Sequence, residues 1–122
     1  MSHTVTVETQ VKDIRILEQV CQELGFGFRQ INADDAIKFY DGTSHTEGHA
    51  IDIPGWRYPV VVDSQGKMAF DNYSGRWGNE SQLHVLRQKY TESVTIKTLK
   101  SRGAKFKRTQ RDDGSIVLTV TA

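Results

Sequence analysis

The chain has 122 residues, 37% of them apolar, and carries 16 basic against 15 acidic side chains, for a formal net charge of +1. That length predicts a single domain over 1–122, large enough to fold without a disulfide or a metal staple. The one cysteine, Cys21, excludes an intramolecular disulfide framework and any multi-cysteine zinc or iron–sulfur site.

No apolar run approaches the ~20 residues that span a bilayer, so no membrane partner is expected. Met1-Ser2-His3-Thr4 has no basic stretch leading into an apolar one, so no secretory signal is read there. With a free thiol, the expectation is a cytoplasmic protein. The near-zero net charge hides a gradient. Residues 97–122 hold seven basic and two acidic groups, a net of +5, and leave nine basic and thirteen acidic groups, a net of −4, in residues 1–96. Such asymmetry is the footprint of a polyanion-facing edge, or of a solvated surface paired with the acidic half.

In chain order, residues 3–9 alternate and are β-branched, which predicts a strand. Ile14, Leu17, Val20, Cys21 and Leu24 recur at helical spacing, predicting a helix over 11–24, with Thr9 as its N-cap and Gly25 as the left-handed residue that ends it. Cys21 falls on the apolar face and reads as core. Strands follow at 26–32 and 36–40, separated by an Asp34-Asp35 turn, and Asp41-Gly42 turns the chain again. Residues 43–48 read as a polar loop, 50–53 as a short strand and Pro54-Gly55 as a turn. Tyr58, Val60 and Val62 alternate within a predicted strand over 56–63, and Ser64-Gln65-Gly66 leads into another over 68–73. A Gly-rich loop over 74–79 precedes a helix capped by Asn79 or Ser81. Its apolar positions Leu83, Leu86 and Tyr90 continue through Val94 and Leu99 to Arg102. Lys105–Arg111 and Ile116–Thr121 alternate around Asp112-Asp113-Gly114-Ser115, a hairpin. The order β-α-β-β-β-β-β-α-β-β predicts an α+β fold, an antiparallel sheet with two helices packed on one face. Gly25-Phe26-Gly27-Phe28-Arg29 and Gly103-Ala104-Lys105-Phe106-Lys107 both follow a helix and enter a strand, a faint internal repeat.

Three constellations carry chemistry worth weighing. The segment 38–77 concentrates polar aromatics and arginines. Within it, Lys38, Tyr40, Trp56, Arg57, Tyr58, Arg76 and Trp77 form a candidate surface for a protein partner or a small nucleotide-like ligand. Strand alternation would put Trp56 and Tyr58 on one face and Arg57 on the other. His45 and His49 stand four apart and, with Asp52, make a weak metal-dependent hydrolase alternative. Gly48, the flanking turns and the threonine at 46 depart from the His-Glu-x-x-His pattern. The basic set Lys97, Lys100, Arg102, Lys105, Lys107 and Arg111 is a nucleic-acid alternative without a recognised motif. No phosphate-binding loop, nucleophile elbow or paired catalytic carboxylates occur, so no cofactor and no catalytic residues are assigned, and a non-enzymatic role is favoured. The exposed hairpin edges leave β-mediated homo-oligomerisation open.

Taken together, Met1-Ser2-His3, a leucine-bearing first helix ending in Leu24-Gly25, Tyr40-Asp41-Gly42 before a His-rich stretch, Gln88-Lys89-Tyr90 and Asp112-Asp113-Gly114-Ser115-Ile116 resemble the hypothetical-chloroplast-frame thirty-five family. That family is a domain of unknown function of algal plastids, cyanobacteria, other bacteria and phages. The resemblance runs from 1 to about 121 and departs around 54–79, where the Trp and Gly pattern differs. It implies a small cytosolic domain that works beside other proteins, an AAA-type ATPase among them, and it implies no catalytic residues. The phage members give the small-ligand reading a concrete form, sequestration of a nucleotide-like signal.

Overall fold

The helical stripe and the β-branched strands meet around one sheet. The structure, a computed structural model that describes residues 4–7 and 11–121, orders the elements as β1 (Thr4–Val7), α1 (Ile14–Leu24), β2 (Gly27–Gln30), β3 (Ile37–Lys38), β4 (Ser44–His45), β5 (His49–Asp52), β6 (Val60–Val62), β7 (Met68–Asp71), α2 (Glu80–Ser101), β8 (Lys105–Gln110) and β9 (Ile116–Thr121). Five strands form an antiparallel sheet in the order β1-β7-β6-β5-β2. Two smaller antiparallel pairs, β3-β4 and β8-β9, stand outside it. The fold is α+β, with both helices on one face of the sheet.

Alternation sorts the strand side chains. Ile51, Val60, Val62, Met68 and Phe70 point to the helices, where Leu17, Val20 and Cys21 of α1 and Leu83, Leu86 and Tyr90 of α2 complete the main core. Ala50, Val61 and Ala69 point the other way, and Ile31, Ile37, Phe39 and Tyr58 cover them. The polar stretch 43–48 is therefore not all loop. Ser44 and His45 pair with Lys38 and Ile37, and this short hairpin closes the second face.

The predicted helix 11–24 begins later, at Ile14. Asp13 is its N-cap and accepts from the Ile16 N–H at 3.2 Å. Thr9, the predicted cap, lies outside the described residues. Val11, Lys12 and Asp13 are held otherwise: Val11 N–H donates to Gly66 O (2.7 Å), while the Lys12 and Asp13 N–H groups donate to the Tyr90 hydroxyl (both 3.1 Å). Both helices close in the same way. Gly25 and Gly103 sit at φ 75° and 69°, and the next residue donates back five positions, Phe26 to Cys21 O and Ala104 to Leu99 O. This shared closure is the whole of the faint repeat, for β2 then joins the main sheet and β8 the separate ribbon. Of the two expected cap candidates, Asn79 takes the position, accepting from the Ser81 N–H at 3.0 Å.

The predicted strand 56–63 is the largest departure. Only Val60–Val62 pairs. Pro59 has no N–H for a ladder, and residues 54–58 turn across the end of the sheet instead.

Asp13 also receives the Lys97 ammonium at 2.8 Å. That hydrogen bond first, and the capping N–H second, hold its carboxyl below the usual aspartate range. The folded chain thus binds fewer protons here than the unfolded chain, so the contribution is present above the ordinary carboxylate pKa and is lost as pH falls through the depressed one. We expect the urea midpoint to drop on acidification below about pH 4. Asp13→Asn, which keeps a capping oxygen but loses the charged contact to Lys97, should lower the neutral-pH midpoint modestly and shrink that drop by the same amount.

Candidate functional site

β7 ends at Asp71, and the chain turns through 72–78 before Asn79 starts α2. Backbone bonds from Gly75 and Trp77 to Asn72 O (3.1 and 2.9 Å) and from Arg76 to Tyr73 O (3.1 Å) wind this turn. The Asn72 amide braces it by donating to Gly78 O (3.3 Å) and Glu80 Oε1 (3.1 Å). Tyr73 and Ser74, neither a glycine, occupy left-handed backbone at φ 47° and 53°. That conformation costs about 1–2 kcal/mol per residue, and such strain concentrates at functional surfaces.

The strained turn delivers Trp77 to a cluster of rings. Tyr73 stacks on it at 4.7 Å, and Tyr40 and Tyr58 meet it edge-on at 5.4 and 6.0 Å. Arg57 N–H donates to Trp77 O at 2.8 Å, which lays segment 56–59 beside the turn. The Arg57 guanidinium then rests over the Trp77 ring at 4.7 Å, with Tyr58 at 5.6 Å, and Arg76 covers Tyr73 at 5.1 Å. Tyr40 is 61% exposed, Arg57 and Arg76 are exposed, and Tyr58, Tyr73 and Trp77 are half-buried. Tyr58 roots the cluster through Phe39 of the second core at 6.1 Å.

The structure therefore brings together Tyr40, Arg57, Tyr58, Arg76 and Trp77 of the expected set. The opposition of Arg57 to Tyr58 disappears because the segment is not a strand. Trp56 goes elsewhere. Its ring packs on Phe70 (5.9 Å) in the main core, and its indole N–H donates to Gln82 Oε1 at 3.0 Å. A Cβ on Gly78 would lie 2.3 Å from that ring, so the turn can pass only without a side chain there. Lys38 is exposed on β3 and takes no part in the ring contacts. Sequence reasoning left Tyr73 out of the site, although its neighbourhood to Arg76 and Trp77 was visible.

Asp71, at the root of the turn, is fully buried. Neither carboxylate oxygen meets a hydrogen-bond donor among the described residues. Nothing in the pair Asp71-Asn72 marks it as interior, since such pairs usually belong to exposed turns.

The remaining candidates disperse. The His45 ring lies against Phe39 (4.9 Å) and His49 stacks on Phe28 (5.1 Å). Asp52 accepts from Arg29 Nε at 3.2 Å, and His49 and Asp52 leave opposite faces of β5. These three do not converge, and among the described residues no group of three or more His, Cys, Asp or Glu side chains is placed to hold a metal ion. Of the basic set, Lys97 is engaged by Asp13 on α1, and Lys100 borders a groove beside Ile16. Lys105, Lys107 and Arg111 share the outward face of the ribbon. Arg108, on its other face, pairs with Glu92. The Cys21 thiol is pushed up to about 12 by burial first and by Glu18 second, so it stays protonated and is no nucleophile. No helix among the described residues is long and apolar enough to cross a membrane.

Compared with protein-family models, curated proteins and solved structures, the chain matches none.

The turn's strain can be measured. Ser74→Gly should raise stability by about 1 kcal/mol, because glycine accepts positive φ without a Cβ clash. The check is an upward shift of the urea midpoint at unchanged slope. Ser74→Ala should give no such gain.

Proposed function

We propose that this chain is a non-enzymatic binding domain whose contact surface is the cluster of Tyr40, Arg57, Tyr58, Tyr73, Arg76 and Trp77, and that its ligand is a protein. One observation carries the reading: these exposed and half-exposed rings and guanidiniums are already packed against one another. Trp, Tyr and Arg dominate interface hot spots, and a pre-assembled cluster loses little side-chain entropy on binding. A nucleotide ring would have to displace Arg57 or Tyr73 to stack on Trp77, which weighs against the small-ligand form. The accessory role implied by the resemblance to the hypothetical-chloroplast-frame thirty-five family points the same way.

The experiment places a photoreactive phenylalanine analogue at Tyr40 in the producing cell. We expect one discrete adduct that disappears when Trp77→Ala or Arg57→Ala is added to a chain that still folds. An adduct indifferent to both changes would overturn the assignment. So would tight, saturable quenching of Trp fluorescence by AMP or ATP, which would return the site to nucleotides.

A second reading rests on the outward ribbon face with Lys105, Lys107 and Arg111, since a two-stranded ribbon fits a duplex major groove. It expects a labelled duplex to bind with a log–log salt slope of about −2.7 for three phosphate contacts, shallower by about 0.9 in Lys107→Glu. Salt-independent binding, or none, removes it.

A further inference from the structure

Among the described residues the β8–β9 ribbon pairs only with itself. Arg111 N–H donates to Ser115 O (2.8 Å) and Gly114 N–H to Arg111 O (2.9 Å), so the hairpin closes on a hydrogen-bonded pair. The ladder then alternates, with Thr109–Val117 and Lys107–Thr119 bonded inward. The N–H and C=O groups of Ile116, Leu118 and Val120 are therefore left pointing to the open edge of β9.

The side chains of the same three residues lie on the face that carries Arg108 to Glu92 of α2. β8 follows α2 in the chain and contacts it, and Gln88 Nε2 of the helix donates to Gly114 O at the tip of the hairpin (3.0 Å). A groove of about 510 Å³ separates Ile116 and Leu118 from the polar Gln88, Thr91, Glu92 and Thr95 of the helix. Val120 is 54% exposed. On this face Phe106 of β8 stands opposite Val120, while Ile116 and Leu118 look across the groove at polar side chains.

The two edges of the ribbon differ in charge. β8 carries Lys105, Lys107 and Arg108, with Arg111 just beyond it, whereas β9 from Ile116 to Thr121 carries no charge and no proline. Lysine and arginine guard an edge against pairing; β9 has no such guard.

We propose that β9 pairs antiparallel with β9 of a second copy of this chain, forming a continuous four-stranded sheet β8-β9-β9-β8 across a two-fold axis. The edge is self-complementary. With the axis at Leu118, each Leu118 faces its equivalent and each Ile116 faces the other copy's Val120, so every outward N–H and C=O of the three residues finds a partner. A two-fold axis normal to the sheet keeps both apolar faces on one side, where Ile116, Leu118 and Val120 of the two copies adjoin. Charge selects β9 over β8. In the β9 arrangement the two basic strands stand three strand spacings apart, about 14 Å, beyond the ~10 Å screening length at 0.1 M salt. Pairing through β8 would instead set its lysines and arginines against their own copies. An acidic foreign strand would choose β8, so the uncharged edge commits to a like strand. This inference is independent of the aromatic cluster, although a dimer would present that cluster twice.

Sedimentation equilibrium on the full chain tests it. We expect a dimer at micromolar concentration and an at least tenfold weaker dimer, about 1.4 kcal/mol, for Val120→Lys, whose exposed position lets the monomer fold. Leu118→Cys should cross-link to a covalent dimer under mild oxidation, because Cα atoms of a hydrogen-bonded antiparallel pair lie about 5.5 Å apart, within disulfide reach. Thr109→Cys, on β8, should still associate through β9 but form no covalent dimer. A wild-type chain that is monomeric throughout, a Val120→Lys chain that dimerises as tightly, or Thr109→Cys cross-linking as readily as Leu118→Cys would each overturn it.

Discussion

Val60, Val61 and Val62 are fully buried in the middle of the sheet, and the remaining architecture answers that one requirement. A strand with apolar side chains on both faces must be covered on both. Each valine contributes roughly 1.5–3 kcal/mol when removed from water, a large share of the ~5–15 kcal/mol by which a domain is stable. The helices shield Val60 and Val62. Val61 needs a second cover, and the chain supplies it with the β3-β4 hairpin and Tyr58. That cover brings Tyr40 and Tyr58 to the place where the 72–78 turn delivers Trp77. The candidate surface is in this sense the outer skin of the second core, and its rigidity derives from Val61 below.

The two tryptophans show how neighbouring turns divide labour. Trp56 locks the loop after β5 to the first turn of α2 through Phe70, Gln82 and the bare backbone of Gly78. With that loop fixed, Arg57 is held against Trp77 rather than swinging free. One indole acts as the anchor and the other as the presented group, and Asn72 binds the two loops' supporting turn to Glu80.

Legibility in the sequence followed the range of the forces involved. The stripe of Leu17, Val20 and Cys21, the glycine closures at 25 and 103 and the Asp112–Ser115 hairpin all rest on neighbours a few residues away and are legible directly; the cap of α2 is legible to within Asn79 or Ser81. Val94-Thr95-Ile96 has strand propensity, yet α2 runs through it. Thr95 and Thr98 bond back to the Thr91 and Val94 carbonyls at 2.8 and 3.0 Å, and Val94 packs on the core. Where the outcome depended on distant chain, local pattern misled. The alternation of Trp56, Tyr58, Val60 and Val62 is genuine, but Pro59 stops pairing. Ser44-His45 becomes a strand by pairing with Ile37-Lys38, whose Ile37 packs in the cluster around Val61. For the candidate site, residue types pointed to the neighbourhood in which the rings and guanidiniums gather. The parting of Trp56 from Trp77, the inclusion of Tyr73 and the burial of Asp71 depend on turns whose course is set by tertiary contacts.

Cys21 gives the molecule an internal clock. As the only thiol, fully buried between α1 and the sheet, it can meet an alkylating reagent only when α1 lifts away. In the folded state the thiolate is suppressed as well. When reclosing is faster than alkylation, the labelling rate reports the opening free energy of that helix. Because α1 and α2 are joined through Tyr90 and Lys97, the same clock registers any event, such as a partner docking elsewhere, that tightens or loosens the two-helix layer.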